Sequence, residues 1–419
     1  MSGPSFSSTA SDAAIAEGRP SAQLLRPALE LAGVGLVATF VFWATIVWAS
    51  SVVLALALVA GWLVVAVVAF HRRPHQNLAL LALSLVIVVA CVELALHGGM
   101  LPGVQDYRPA AAEIEWGLTR HIDTQPAIQF PDPELGYRLV GPQRARSKLF
   151  HRGALVYDVV YTIDEAGFRV TPGVSTSGQP ILVMGDSFQF GSGLPDEQTL
   201  GAHLASRSAG TLRPVNLATP GYGVHQILRQ LQLGTPKASG ADQFDLLIFG
   251  VFDTHVRRAS GKARWLRGSP RYETSAEGLA PAGVFQPSSQ FAEHLLADSA
   301  LAALLGEALD KFLMSDEKRF VAILKEIERE ARATYGARLL VLYYSELNVG
   351  PSKRSAEKLL CRAGVSFIDL GTRVPITPDS VDKYYIAGDG HPTSALNDWI
   401  AREAIRYIEG HAAPDRCHP

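Results

Sequence analysis

Apolar positions are distributed unevenly along the 419-residue chain. Between Leu31 and Leu96 the only charged side chains are Arg72, Arg73 and Glu93. As one helix, Leu31–Phe70 would run about 60 Å at 1.5 Å per residue, against a bilayer core of roughly 30 Å. The pattern therefore predicts two spans joined at Ala49-Ser50-Ser51, and a third from Leu78 to Leu96 after the polar loop His71–Gln76. Arg19 and Arg26 precede the first span, Arg72 and Arg73 follow the second, and the Ala49 turn carries no basic residue. That asymmetry puts the amino terminus and the Arg72 loop in the cytoplasm and everything after His97 outside it. Residues 1–28, rich in Ser and Ala, read as a disordered cytoplasmic tail, and 29–97 as three transmembrane helices. A cleavable signal peptide fits poorly, because the apolar region is too long and starts too late. Glu93 is an acid inside the third span, a default functional candidate. Its position within a turn of the outer end favours a plain structural role.

Beyond the membrane unit the period changes. Residues 98–179 show no long helical pattern. Tyr137–Val140 and Leu155–Thr162 carry strand patterning, with turns at Gly141-Pro142 and Asp164–Gly167, so a β-rich preface is expected. From Pro180 short apolar runs alternate with helical ones. Strands are expected at Ile181–Met184, Pro214–Leu217, Asp245–Phe252, Arg338–Tyr344 and Val365–Leu370. Helices are expected at Leu200–Ser206, Ile227–Leu233, Lys318–Tyr335 and Ser394–Ile408. This alternation predicts an α/β domain over 180–412: a three-layer, doubly wound parallel sheet of flavodoxin-like type. Within it, 257–317 reads as an insertion. Ser269–Gly283 is rich in turn residues, and Phe291, Leu295, Leu301, Leu305, Leu309 and Phe312 then recur at helical spacing. Residues 413–419 are left as a tail.

Charge and cysteine usage narrow the partners. Charged residues are 19% of the chain and the formal net charge is −2, with no basic block, so nucleic acid is not an expected partner. The lipid bilayer is. Cys361 and Cys417 both fall in the part expected to lie outside the cytoplasm, where disulfides persist, so a bridge between them is expected.

The candidate chemistry sits at two loops. Ile181–Met184 stops at Gly185-Asp186-Ser187, which leaves a serine hydroxyl at the carboxyl edge of the sheet, where open α/β sheets place their sites. Near the end of the domain, Gly388-Asp389-Gly390-His391 precedes the last helix. There a carboxylate can fix the tautomer of its neighbouring imidazole and leave the other ring nitrogen free to take a serine proton. Ser187, Asp389 and His391, in that chain order, form a candidate acyl-transfer set. No HExxH occurs and the histidines do not cluster, so no metal and no cofactor is expected.

These motifs resemble the SGNH hydrolase family, also called GDSL esterases, over roughly Tyr161–Ile408. Gly185-Asp186-Ser187-Phe188 is similar to its first block, and Asn216–Gly221 to its second. The resemblance implies that Ser187 is the nucleophile, that Asp389 and His391 are the orienting acid and general base, and that the Gly221 N–H joins the Ser187 N–H in an oxyanion hole. Gly167-Phe168-Arg169 and the membrane unit resemble a bacterial envelope subgroup, some of whose members handle acyl groups on exopolysaccharides. This implies a multi-pass inner-membrane protein with a periplasmic esterase domain acting on acylated carbohydrate or another ester. The alternatives are an O-acyltransferase using the same residues and an inactive carbohydrate-binding relative. In the third block the family has an asparagine that donates to the oxyanion. Here Gly250-Val251-Phe252-Asp253-Thr254-His255 has none, so His255, then Thr254, are the expected substitutes.

A topology prediction follows from the Arg placement. A reporter fused after His97 is expected to be active only when it depends on an exported location; cytoplasmic activity of that fusion would overturn the three-span orientation.

Overall fold

The structure, a computed structural model, describes residues 52–69, 73–97, 120–261, 263–275, 278–285, 299, 301, 305, 315–345, 355–377, 379–415 and 417. The first expected span lies outside these residues. The second and third appear as helices α1 (Val52–Ala69) and α2 (Arg73–His97). Within α2, Pro74–Leu96 contains an 18-residue window with a mean hydropathy of 2.8 and is long and apolar enough to cross a membrane. Glu93, near its far end, is fully buried, and its Oε2 accepts from Ser299 Oγ at 3.3 Å and from the Leu301 N–H at 2.9 Å. The acid therefore ties the helix end to the insertion.

The preface is antiparallel. Strands β1 (Arg120–Gln125), β4 (Gln143–His151) and β5 (Ala154–Ile163) form one sheet, and β2 (Gln129–Asp132) pairs with β3 (Gly136–Leu139). A bridge through Arg169 joins Ile163 to Asn216, so the preface sheet continues onto the edge of the main one.

The main sheet contains β6 (Gln179–Val183), β7 (Leu212–Asn216), β8 (Leu246–Val251), β11 (Arg338–Tyr343) and β12 (Phe367–Asp369). Its order is β12-β11-β8-β6-β7 and every pair in it is parallel. Numbered along the chain this is 2-1-3-4-5, the flavodoxin-like order. Buried strands of this kind read as continuous apolar runs because both faces are covered. Leu182, Leu247, Leu339 and Val341 point into a core shared with Ile227, Phe320 and Leu359. Their alternates Ile181, Val183, Ile248, Leu340 and Leu342 point to the other face, against Leu204 and Ile400. The helices on the first face are Val224–Gln232, Ser315–Tyr335 and Ser355–Ala363; those on the second are Leu200–Arg207 and Ser394–Ile408.

Two expectations need correction. Ser269–Gly283, read as turn-rich, contains an antiparallel hairpin of β9 (Pro270–Ser275) and β10 (Gly278–Val284). Its signal is a short alternation in which Tyr272 is buried while Arg271 and Glu273 face outward. Of the expected tail, residues 413–415 and 417 are described, and they do not stand apart from the domain. Asp415 donates its N–H to Phe367 O at 2.8 Å, its carboxylate accepts from the Asp369 N–H and Arg373, and Cys417 is bonded to Cys361 with Cα atoms 5.5 Å apart. The helical run expected at Phe291–Phe312 lies almost wholly outside the described residues.

In the chain-entropy view a bridge closing 56 positions stabilises by about 4 kcal/mol. Cys361→Ser is expected to lower the unfolding free energy measured in urea by up to that amount, and added reductant to lower the wild type to match. A wild-type thiol titration above one under denaturing, non-reducing conditions would contradict the bridge, since Cys91 is the free cysteine.

Candidate active site

Strand β6 leaves the sheet through Gly185, at a φ of 132° that disfavours any side chain. A Cβ there would also meet the Gln189 amide at 2.6 Å. The chain then enters the four-residue helix α3 (Ser187–Phe190), the third helix in order, capped by Asp186, whose Oδ1 accepts from the Phe188 N–H at 3.0 Å. From Ile181 to Leu194 every residue is buried except Ser187. The serine is thus the one open position of the turn.

His391 Nε2 lies 2.8 Å from Ser187 Oγ, and its Nδ1 lies 2.8 Å from Asp389 Oδ2. The two segments that meet are separated by 204 positions. The carboxylate accepts from Nδ1–H, so the Nε2 lone pair faces the serine O–H. His391 is 9% exposed and Asp389 2%, and the Phe188 ring lies 5.2 Å from the imidazole. The loop carrying the pair is folded back on itself: Asp389 N–H and Gly390 N–H donate to Ile386 O, and Ile386 N–H donates to His391 O.

Beside the serine, β7 ends in Asn216, whose amide donates to Gln189 O at 3.0 Å and so fixes the second loop to α3. That loop turns at Gly221, with a φ of 87°. Among the described residues neither the Ser187 nor the Gly221 N–H has a hydrogen-bond acceptor, which leaves both as free donors at this edge.

The expected substitute donors are not brought to the serine in that role. His255 Nδ1 accepts from the Phe252 N–H at 3.3 Å, so the ring proton sits on Nε2, which lies 3.5 Å from Asp186 Oδ2. The ring is buried, and its pKa is lowered to about 3, first by burial and then by Arg258. It is neutral, with its proton directed to Asp186 and not available to an oxyanion. Thr254 is exposed at the first position of the short helix α6 (Thr254–Arg258), the sixth helix in order, and among the described residues its hydroxyl makes no hydrogen bond to the site. Asp253 is turned to the far side, accepting from Tyr343 Oη at 3.2 Å. Phe252 occupies the end of the strand, its ring 5.1 Å from that of Phe188.

The sequence pattern did not reveal how closely the preface holds these loops. The Arg169 guanidinium, fully buried, donates to Phe190 O at 2.9 Å, Gly191 O at 2.8 Å and Leu194 O at 2.6 Å, and pairs with Asp196 at 3.0 Å. Burial pulls its pKa below the ordinary arginine value, and Asp196 partly restores it. Tyr161 Oη accepts from the Gly193 N–H at 2.9 Å. Gln129 and Tyr137 both donate to Pro220 O, at 2.8 and 3.1 Å. His151 Nδ1 lies 2.9 Å from Gly388 O, on the loop that carries Asp389.

A second Ser–His–Asp grouping occurs on the helical face: His203 Nε2 lies 2.9 Å from Ser394 Oγ, with Asp398 3.5 Å from Nδ1. Its carboxylate is held by Arg207 at 2.6 and 2.9 Å, which makes it an ion pair between two helices and not an orienting acid.

No family model matches the chain, and no curated protein matches it. Solved structures do. One is a member of the lipolytic G-D-S-L family from Veillonella parvula, at 11% identity over 55% of this chain and 97% of that one, with a TM-score of 0.32. A lipase/acylhydrolase from Enterococcus faecalis is 13% identical over 57% and 100%, with a TM-score of 0.31. A catalytic mutant of an acetylxylan esterase from Geobacillus stearothermophilus is 14% identical over 55% and 94%, with a TM-score of 0.32. The likeness runs to lipolytic proteins and an esterase. What the present site can do follows from its own geometry.

The buried imidazoles predict an acid limb of stability. His225 and His255 are both lowered to about 3, His225 by burial first and then by His255, against about 6.5 in an unfolded chain. Folded-state pKa values depressed in this way contribute stability that is present above pH 6.5 and lost as pH falls from there towards 3. Urea midpoints are expected to fall across that window, and His225→Gln to flatten the slope; an unchanged slope would show that His225 is not held neutral.

Proposed function

We propose that this chain is a membrane-anchored, extracytoplasmic serine ester hydrolase working by two-step acyl transfer. One observation carries the reading: an unbroken hydrogen-bond chain, Ser187–His391–Asp389, ending at the one residue of a strand-to-helix turn that is not fully buried. As the serine oxygen attacks an ester carbonyl, His391 Nε2 takes its proton, and Asp389 stabilises the resulting imidazolium. The carbonyl oxygen becomes an oxyanion, for which the Ser187 and Gly221 N–H groups are the available donors. Collapse of the adduct breaks the ester C–O bond, and the imidazolium returns the proton to the leaving alcohol. Water then repeats the sequence on the acyl-serine, losing its proton to His391 and releasing the acid.

The anchoring rests on the apolar segment between residues 31 and 96, of which Pro74–Leu96 is long and apolar enough to cross a membrane. Three spans and a periplasmic domain complete the reading, and the Cys361–Cys417 bond supports the oxidising side. The substrate class proposed is an acylated envelope glycan.

The test uses the full chain in detergent micelles with short-chain aryl esters and acetylated oligosaccharides. Ser187→Ala and His391→Ala are each expected to lower kcat by several orders of magnitude, and the double variant to add little. A fluorophosphonate is expected to label wild type and not Ser187→Ala. Full turnover in His391→Ala would overturn the mechanism. Acyl transfer to a sugar acceptor in preference to water would make the protein an O-acyltransferase. Labelling and turnover both absent would leave a glycan-binding fold without catalysis.

A further inference from the structure

At the strand end where an amide donor is absent, the neighbouring cation is Arg258, the last residue of α6. Its Nη1 donates to Asp186 Oδ2 at 2.8 Å and to Tyr222 O at 3.1 Å. Asp186 immediately precedes Ser187, and Tyr222 immediately follows Gly221. A single nitrogen thus spans the two loops that carry the Ser187 and Gly221 N–H groups. The guanidinium also lies over two rings: its Cζ is 5.1 Å from the Phe252 centroid and 5.5 Å from that of Trp265. Trp265 Nε1 in turn donates to Gly221 O at 2.8 Å. The arginine side chain is 14% exposed, whereas the Asp186 carboxylate beneath it is 1% exposed.

We propose that Arg258 is the positioning residue of the oxyanion hole, fixing the separation of the Ser187 and Gly221 N–H groups and supplying fixed positive charge beside them. The inference rests on the serine-esterase reading and adds to it the means by which a hole lacking the side-chain amide is held in register. Three features favour arginine here. Two protons on one planar nitrogen satisfy a carboxylate and a carbonyl at once. A planar cation stacks on Phe252 and Trp265, while an ammonium on a flexible stem does not keep that plane. The carboxylate of Asp186 is buried one residue from the nucleophile, and without a countercharge it would oppose the negative charge that develops on the substrate oxygen.

Because the bridge matters most when the oxyanion forms, its removal should lower kcat and leave KM nearly unchanged. In the full-length enzyme, Arg258→Lys is expected to lower kcat about 100-fold, the size of effect seen when one oxyanion donor is lost, with KM within a few-fold. Arg258→Gly is expected to be at least as impaired and to recover part of its kcat with methylguanidinium but not with methylammonium. A structural role alone would lower the melting temperature and show no such selectivity. If Arg258→Gly does not fold, the kcat and KM split of Arg258→Lys decides the point. Unchanged kcat in Arg258→Lys, or a loss that no guanidinium restores, overturns the inference while leaving the esterase reading intact. A wild type that takes no fluorophosphonate and turns over no ester overturns the esterase reading, and this inference with it.

Discussion

A single desolvated cation holds the nucleophile in place. The Arg169 guanidinium reaches the carbonyls of Phe190, Gly191 and Leu194 and the carboxylate of Asp196, with its Cζ over the rings of Tyr161 and Phe190 at 4.4 and 4.5 Å. A helix as short as Ser187–Phe190 leaves most of its carbonyls without partners along the chain, and a buried carbonyl without a partner is costly. Arg169 meets the last carbonyl of the helix, Phe190 O, and those of Gly191 and Leu194 just beyond it, while Asn216 meets Gln189 O. The turn can therefore be buried on every side and still present one hydroxyl outward. The cation is itself expensive to bury, and the cost is offset only because its donors are consumed by fixed acceptors.

The same logic extends across the preface. Gln129 and Tyr137 meet the Pro220 carbonyl, Tyr161 meets Gly193, and His151 meets Gly388. Each of the three loops that assemble the site is thus pinned by the antiparallel strands that come before the parallel sheet. The preface is a template for the loops as much as a domain of its own. Arg258, on the short helix that follows the third strand, plays a comparable part for Asp186 and Tyr222, so the segments flanking Ser187 and Gly221 are held by two arginines with different acceptors.

The parallel sheet was legible because buried strands must be apolar throughout: Leu246–Val251 and Arg338–Tyr343 announce themselves locally. Gly185-Asp186-Ser187 and Asp389-Gly390-His391 were legible because tight turns and a neighbouring acid–imidazole pair are also local. What was not legible depends on partners far along the chain. The contact of His151 with Gly388 joins positions 237 apart, and nothing near either residue marks it. His255 shows the limit most clearly. Its residue type suits a donor, but the direction of its proton is set by the Phe252 N–H on one nitrogen and Asp186 beyond the other. Arg258, four residues beyond Thr254, carries no local mark in the sequence, because its partners Asp186 and Tyr222 lie 72 and 36 positions away.

The last residues of the chain have a further consequence. β12 is the outer strand of the main sheet, and Asp415 occupies hydrogen-bonding positions along it while Cys417 is fastened to Cys361. An uncovered outer strand is a template for pairing with another copy. The cystine therefore works as a latch on a self-supplied edge guard. The bond adds a covalent hold to the contacts that Asp415 makes with Phe367, Asp369 and Arg373, so covering of this border does not rest on hydrogen bonds and an ion pair alone.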